Sequence, residues 1–125
     1  TSSKESRGER LHKIGKRIKE VVEEWCPTEL AIETLFFNQN ITSGIGVAEA
    51  RGVIIYESAC AGLTIYEYSP QSIKSATTGY GKASKSGMDT MVRRLVKLPN
   101  KAKKIDDEMD AIAVGITHLK NKKNI

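Results

Sequence analysis

The segment that most restricts the fold lies near the C-terminal end of the chain. From Asp107 to about Lys120, almost every residue after the first turn is apolar or small. A helix that is apolar around its whole circumference is stable only where other elements cover it. We therefore expect a deeply buried helix with only its first turn exposed. A chain of 125 residues is long enough to enclose such a helix in one small domain and too short for two.

The remaining segments predict a helix-dominated α/β protein. Apolar residues recur at helical spacing from Arg7 to Trp25, and Pro27 follows as a stop. A short apolar run predicts a buried strand over Glu29 to Glu33, and alternation with strand period predicts a second strand over Leu63 to Tyr68. Further helices are predicted over Ile41 to Ala61 and over Lys85 to Leu98. A short helix is predicted to begin at Pro70, with Ser69 as its cap and Ile73 facing inward. Residues 77–84, between this short helix and the helix over 85–98, are predicted to form a loop. In the helix over 85–98 the expected inward residues are Met88, Met91, Val92, Leu95 and Val96, with Arg93, Arg94 and Lys97 in solvent.

Acidic residues stand at two positions that favour metal chemistry. Asp107 and Asp110, three residues apart on a helix, share one face with Cβ atoms about 5 to 6 Å apart, which suits two ligands of one ion. Taken alone, the same acids are also typical of a helix start, where they satisfy free N–H groups and complement the helix dipole. Glu33 ends a buried strand, where a carboxylate needs a partner.

Positive charge is concentrated in one segment. The chain carries a net charge of +5, but residues 74–104 contain nine basic residues and one acid, a local charge of +8. Such a segment beside an acidic cluster favours a surface that binds a polyanion next to a site for cations. A solvated charged face is the alternative, and the concentration into one segment favours nucleic acid.

Small residues spaced four apart mark the second predicted helix. Gly44, Ala48 and Gly52 follow this spacing. Because glycine costs about 1 kcal/mol in a helix interior, a close approach by another element is expected there. Packing against a second protomer and packing against the protein's own sheet are equally compatible with the pattern.

The cysteines and the N-terminus indicate the compartment. Cys26 and Cys60 have neither a C-x-x-C spacing nor a matching pair of histidines, so we expect reduced packing residues instead of a disulfide or a zinc site. The chain has no apolar run long enough to span a membrane and begins without a signal-peptide pattern. We therefore expect a soluble cytoplasmic protein without a membrane partner.

Several segments together resemble the RuvC family, the Holliday junction resolvases of the ribonuclease H-like superfamily. The matching segments follow the family's order over nearly the whole chain. They are Leu30-Ala31-Ile32-Glu33, Gly46-Val47-Ala48-Glu49-Ala50-Arg51-Gly52, Tyr66-Glu67-Tyr68-Ser69-Pro70, Gly79-Tyr80-Gly81 and Asp107 to His118. The resemblance implies a ribonuclease H-like α/β fold.

The resemblance also implies an activity, a cofactor and partners. It implies a metal-dependent endonuclease that nicks two opposing strands of a four-way DNA junction as a homodimer, with a branch-migration helicase as a further partner. Glu33, Asp107 and Asp110 match three of the family's catalytic and metal-binding positions, and oxygen ligands favour Mg²⁺ or Mn²⁺. Asp106 is one residue out of step and is expected to cap the helix.

Four residues are candidates for DNA contact. Phe36 matches an aromatic that stacks into the junction core, with an ordinary core or dimer-contact phenylalanine as the alternative. Lys74 and Lys85 resemble DNA-contacting lysines of the family, and Lys82 lies in the same basic segment. His118 matches the family pattern as well, but its position near the end of a buried helix indicates a structural role.

One part of the family pattern has no match. Family members begin with an apolar strand that carries a catalytic aspartate, whereas this sequence contains no aspartate before Asp89. We therefore expect residues 1–125 to form a single partial domain of this family that lacks the first three strands. The expected consequence is reduced or absent cleavage, and a non-catalytic module for junction binding and dimerisation is the alternative function.

Overall fold

The protein is described by a computed structural model that covers residues 4–34, 41–98 and 106–123. Within these ranges the chain forms helices and two strands. In chain order they are α1 (Arg7–Trp25), β1 (Glu29–Glu33), α2 (Ile41–Cys60), β2 (Thr64–Tyr68), α3 (Pro70–Thr78), α4 (Lys85–Leu95) and α5 (Asp106–Lys123). This confirms the helix-dominated α/β class, and most predicted bounds differ from those observed by no more than three residues.

The two strands form a two-stranded parallel sheet. The N–H of Thr64 donates to the carbonyl of Thr28 at 3.1 Å, and the N–H of Thr34 donates to the carbonyl of Tyr68 at 2.8 Å. Every residue of β1 is only partly buried. The prediction that Glu33 ends a buried strand is therefore wrong in its degree of burial, although Glu33 does end the strand.

The contacts divide the chain into two compact units. Unit 1 comprises Thr1–Leu30 and Leu35–Tyr66, and unit 2 comprises Ala31–Thr34 and Glu67–Ile125. The boundary between the units crosses both strands. The expectation of one partial domain over residues 1–125 stays a prediction.

Unit 1 consists mainly of α1 packed on α2. Ser6 caps α1 by accepting a hydrogen bond from the N–H of Glu9 at 3.1 Å. The two helices approach closely at Gly15, because a Cβ placed there would lie 3.3 Å from Cγ1 of Val53. At Gly46 and Gly52, in contrast, a Cβ would meet no described atom within 4 Å. Neither of these two glycines of α2 is explained by packing within the described part of the chain.

Unit 2 contains the hydrophobic core. α5 supplies four of the core residues and packs against α3 and α4. The buried hydrophobic residues are Ile73, Val92, Met109, Ala113, Val114 and Ile116. The predicted buried helix is thus confirmed, but exposure is not limited to its first turn, since Leu119 and the residues that follow it up to 122 are also exposed.

Two predictions about α3 and α4 need correction. Thr77 and Thr78 belong to α3, whose left-handed cap is Gly79 with φ of 83°, so the loop begins there and not at residue 77. α4 ends at Leu95, and Leu95 and Val96 are exposed instead of facing inward. Lys97 adopts a left-handed φ of 54°, and the N–H of Leu98 returns to the carbonyl of Arg93 at 2.9 Å. The chain therefore leaves the helix before Pro99, as expected for residues that precede a proline.

Arg93 and the cysteines also differ from expectation. The Arg93 side chain is 15% exposed and donates to Asp89 at 3.0 Å, one helical turn earlier, so it does not simply extend into solvent. Cys26 and Cys60 are free thiols, as predicted, but both are exposed. The packing role expected for them is wrong.

Within the described ranges, none of the helices combines the length and apolar character needed to cross a bilayer.

Candidate nuclease active site

A cleft in unit 2 brings together acidic and basic side chains from β1, α3, α4 and α5. It has a volume of about 210 Å³. Its charged residues are Glu33, Lys74, Lys85 and Asp110. Its remaining lining is mostly apolar, formed by Pro70, Ile73, Ala83, Met88 and Ala113.

Glu33 reaches the cleft from the end of β1. The next residue, Thr34, is fixed by the hydrogen bond of its N–H to the Tyr68 carbonyl, so the strand is held at the point where its carboxylate emerges. Burial raises the pKa of the Glu33 carboxyl above its ordinary value, and the negative charge of Asp110 raises it further. The positive charges of Lys74 and Lys85 act in the opposite direction. The carboxylates of Glu33 and Asp110 therefore repel each other across a partly desolvated space.

Asp110 reaches the cleft from the second turn of α5 and is paired with Lys85. Lys85 is the first residue of α4, which begins there because Ser84 caps it by accepting from the N–H of Gly87 at 3.0 Å. Its Nζ lies 2.7 Å from Oδ1 of Asp110. Lys85 thus supplies one positive charge at this carboxylate of the cleft.

A second cleft lies beside the first and shares four of its residues. It has a volume of about 360 Å³. The shared residues are Lys85, Met88, Asp110 and Ala113. Asp89 adds a further acid to the second cleft, but this carboxylate already accepts a hydrogen bond from Arg93. The Lys85–Asp110 pair accordingly lies at the boundary between two clefts of one unit.

The residues present fit part of a divalent metal site. Glu33 and Asp110 offer hard oxygen ligands to the same cleft, and a cation between them would relieve their repulsion. Within residues 4–34, 41–98 and 106–123, however, no three or more Asp, Glu, His or Cys side chains are grouped so that they could hold one ion. Among the described residues, Glu33 and Asp110 are the acids that line this cleft.

The other candidate residues lie in different surroundings. Asp107 is exposed on the first turn of α5 and does not line the first or the second cleft. Lys74 lines the first cleft, and Lys82 is exposed in the turn before α4. Phe36 and the side chain of Asp106 lie outside the part of the chain that the structure describes.

Two contacts were missed by reasoning from the sequence. The first is the Lys85–Asp110 pair, whose partners are 25 residues apart. The second joins the phenol of Tyr68 to Nδ1 of His118 at 2.6 Å, between the end of β2 and the buried face of α5. The buried position predicted for His118 is confirmed, and a partner 50 residues away leaves no local sequence signal.

Comparisons with known proteins identify the family of the chain. The family model described as Crossover junction endodeoxyribonuclease RuvC matches residues 1–118. A crossover junction endodeoxyribonuclease RuvC of Brevibacillus brevis is 41% identical over 109 residues, which cover 87% of this chain and 65% of that protein. The chain therefore spans slightly less than two thirds of this relative's length.

Solved structures agree at the level of the whole fold. The structure of Thermus thermophilus RuvC superimposes with a TM-score of 0.88 at 31% identity, covering 98% of this chain and 74% of that one. T. thermophilus RuvC in complex with Holliday junction substrate gives a TM-score of 0.87 at 32% identity, covering 95% and 72%. The fold is of the ribonuclease H-like α/β type, as the sequence resemblance implied. With a family match over nearly all of its residues and these structural relatives, the chain belongs to the RuvC family of crossover junction endodeoxyribonucleases.

Proposed function

We propose that this protein acts as a metal-dependent endonuclease that resolves four-way DNA junctions by paired strand nicks in recombination and repair. The observation that carries the proposal is the cleft in which Glu33 and Asp110 stand beside Lys74 and Lys85 on a chain of the RuvC family. A structural relative has been solved with a Holliday junction substrate, which supports the choice of DNA.

Glu33 and Asp110 are proposed to bind Mg²⁺, with Mn²⁺ as a substitute. When bound, the metal would activate water and neutralise charge that develops on the phosphate. Lys85 holds the Asp110 carboxylate in the cleft, and Lys74 lowers the negative potential there so that a phosphate can approach. Asp107 is proposed as a further metal ligand, supported by its position one turn before Asp110 on the same helix.

The metal role is tested on a labelled four-way junction with the product of the complete reading frame. We expect Glu33→Gln and Asp110→Asn to lower the cleavage rate by more than about a hundredfold. Changing a residue that only supports a metal ligand costs up to about a hundredfold, and changing the ligand itself should cost more. Glu24→Gln, which neutralises an exposed acid on α1, is the matched control and should cleave normally. Removal of divalent metal with EDTA should stop cleavage, and added Mg²⁺ should restore it. Equal cleavage by all three variants would exclude this metal site.

Asp107 requires a separate comparison because it does not line the described clefts. Asp107→Asn is compared with Glu108→Gln, since both change an exposed acid on the first turn of α5. If Asp107 is a ligand, only the first variant loses cleavage and needs more Mg²⁺. Equal behaviour of the two variants would assign Asp107 to the helix start alone.

DNA contact is proposed for Phe36, Lys74, Lys82 and Lys85. The three lysines belong to the segment of local charge +8, and phosphate contacts of this kind position a strand without reading its sequence. Replacing exposed Lys82 by alanine should weaken junction binding and reduce the slope of log K against log salt by about 0.9, the value for one phosphate contact. An unchanged salt slope would remove Lys82 from the DNA surface. Phe36→Ala should weaken binding to a junction more than binding to a linear duplex.

A homodimer is proposed, with one face of α2 as its contact. Ile45, Gly52 and Tyr56 are spaced seven and four residues apart and so share one helix face. Ile45 and Tyr56 are exposed, and Gly52 has open space where a Cβ would be. Ile45→Glu should shift the dimer toward monomer in sedimentation equilibrium. Trp25→Glu adds the same charge at an exposed apolar position on α1 and should leave the dimer unchanged. A monomeric wild-type protein at all concentrations would exclude the dimer.

We further propose that the metal site is completed by a carboxylate outside these 125 residues. Support comes from the two carboxylates that the described chain brings to the cleft and from the greater length of the relative. The 125-residue chain should then bind a junction and cleave it weakly or not at all, while the product of the complete reading frame cleaves it. Equal cleavage by both would contradict this proposal.

The two-carboxylate cleft also supports a second candidate, a non-catalytic module for junction binding and dimerisation. This candidate predicts that the product of the complete reading frame binds junctions but leaves them intact at every Mg²⁺ and Mn²⁺ concentration.

As parts of the main proposal, we infer a cytoplasmic location, where chromosomal junctions occur, and cooperation with a branch-migration helicase. Co-sedimentation of such a helicase with the junction-bound dimer would test the latter.

A further inference from the structure

Tyr80 is an exposed aromatic residue of unit 2 in a loop whose Ala83 lines the cleft. It lies in the loop between α3 and α4, and 61% of its surface is exposed. Its carbonyl accepts a hydrogen bond at 3.1 Å from the N–H of Ala83, which lines the cleft. The aromatic ring is therefore carried by the same loop that forms one wall of the proposed active site.

The backbone on both sides of this ring is fixed. The hydroxyl of Thr78 accepts from the N–H of Tyr80 at 3.0 Å, and it lies 3.0 Å from the Tyr80 carbonyl and 2.8 Å from that of Lys74. Gly79 supplies the left-handed conformation that ends α3, with φ of 83°. A Cβ at Gly81 would lie only 3.0 Å from Cγ of Gln71. These contacts hold the loop, so ordering its backbone on binding costs little.

The loop that carries the ring belongs to the basic segment over residues 74–104. Lys82 follows two residues later in the same loop, and Lys74 and Lys85 line the cleft whose wall the loop forms. Exposed aromatic rings combined with basic residues are the combination that stacks on nucleobases in proteins that bind unpaired strands. Trp25 is also strongly exposed, but it follows two acidic residues, Glu23 and Glu24.

We propose that Tyr80 is a stacking platform for a nucleobase that is unpaired at the branch point of the DNA. This inference rests on the proposed function and adds to it a contact with a base face, beside the phosphate contacts of the lysines. The ring binds the base through its π-face, and the phenol is not required. The contact accordingly favours branched DNA over the interior of a duplex, because a base stacked between two neighbours offers no free face.

The experiment measures binding of the product of the complete reading frame to a four-way junction in Ca²⁺, at fixed salt and without cleavage. Tyr80→Ala should weaken binding by about 5- to 150-fold, the range expected for loss of one base stack. Tyr80→Phe keeps the ring and should bind as the wild type does. Trp25→Ala removes an aromatic that is 73% exposed in acidic surroundings and should have no effect.

Two readouts separate stacking from other roles. Binding to a linear duplex of the same length should not change in Tyr80→Ala, and 2-aminopurine at the branch point should be quenched by the wild type and by Tyr80→Phe only. An equal loss on duplex and junction, or unchanged junction binding by Tyr80→Ala, would overturn the inference while leaving the proposed function intact. A wild-type protein that binds no junction would overturn both.

Discussion

The two units of the chain differ in how they bury apolar side chains. Unit 2 has six buried hydrophobic residues and holds every residue that lines the cleft. Among the described residues of unit 1, only Gly15 and Ser58 are buried, and Trp25, Ile45, Val47 and Tyr56 are exposed. Both units expose large hydrophobic side chains, which in unit 2 are Tyr80, Leu95, Val96 and Leu119, so the described units differ in their buried core and not in their exposed apolar residues. Unit 2 therefore places the cleft on a core of its own.

The largest difference between the units is expected from truncating a core residue. Ile116→Ala, on the buried face of α5, should lower the free energy of unfolding by about 2 to 5 kcal/mol, because it removes buried methyl groups and leaves a cavity. Ile18→Ala on α1 removes the same atoms from a half-buried position and should cost clearly less. Urea denaturation followed by circular dichroism gives both values. Equal costs would mean that unit 1 depends on its apolar contacts as strongly as unit 2 does.

The parts of the fold that could be predicted from the sequence are those whose signals are local in the chain. The bounds of α1 are predictable to within a residue because its signals are local: Ser6 caps it, apolar residues recur at helical spacing, and Pro27 follows it. The predicted α4 is too long because the apolar spacing continues through Leu95 and Val96. The observed helix ends at Leu95, and Lys97 adopts a left-handed conformation. The periodicity of apolar residues indicates which residues could share a helix face, but it does not indicate where the helix ends.

The candidate site shows a similar limit. The sequence indicates Glu33 because it ends an apolar strand, and Asp110 because it lies near the start of an apolar helix. The order of motifs, which resembles a family, indicates both residues as well. The salt bridge between Lys85 and Asp110 joins residues on different helices, so no spacing rule could predict it. The sequence assigns Lys85 to DNA contact alone, and the structure adds an electrostatic role at the carboxylate.

A smaller effect is expected from removing the phenol that links β2 to α5. Tyr68→Phe deletes the hydroxyl group 2.6 Å from Nδ1 of buried His118, which should cost about 1 to 3 kcal/mol for a buried polar atom that loses this bond. The matched change in unit 1 is Tyr56→Phe, because the Tyr56 phenol is exposed. In the wild type a hydrogen bond with Cys60 is the main cause that raises the pKa of this phenol above its ordinary value. At a protein concentration low enough to keep the chain monomeric, that variant should unfold like the wild type. Similar losses in both variants would show that burial does not set the difference.

Two glycines within unit 1 sharpen the comparison further. Gly52→Ala should stabilise the monomer by about 0.5 to 1 kcal/mol, since alanine has the higher helix propensity and its Cβ meets no described atom within 4 Å. Gly15→Ala gains the same propensity but places its Cβ 3.3 Å from Cγ1 of Val53, so it should be close to neutral. Thermal unfolding at low protein concentration measures both, and sedimentation shows whether Gly52→Ala weakens the proposed dimer. A stabilised Gly15→Ala would mean that α1 and α2 can move apart at this contact.

The smallest effects on stability are expected from one ion pair in each unit. Lys85→Ala breaks a contact of 2.7 Å with Asp110 in unit 2, and Lys19→Ala breaks one of 3.8 Å with Glu57 in unit 1. Both lysine side chains are more than 60% exposed, so each loss should lie near the low end of about 0.2 to 1 kcal/mol and fade with added salt. Junction binding should separate the pairs, because Lys85 stands in the cleft and Lys19 does not. If Lys19→Ala weakens binding as much as Lys85→Ala does, the DNA surface extends over α1, and the functional contrast between the two units fails.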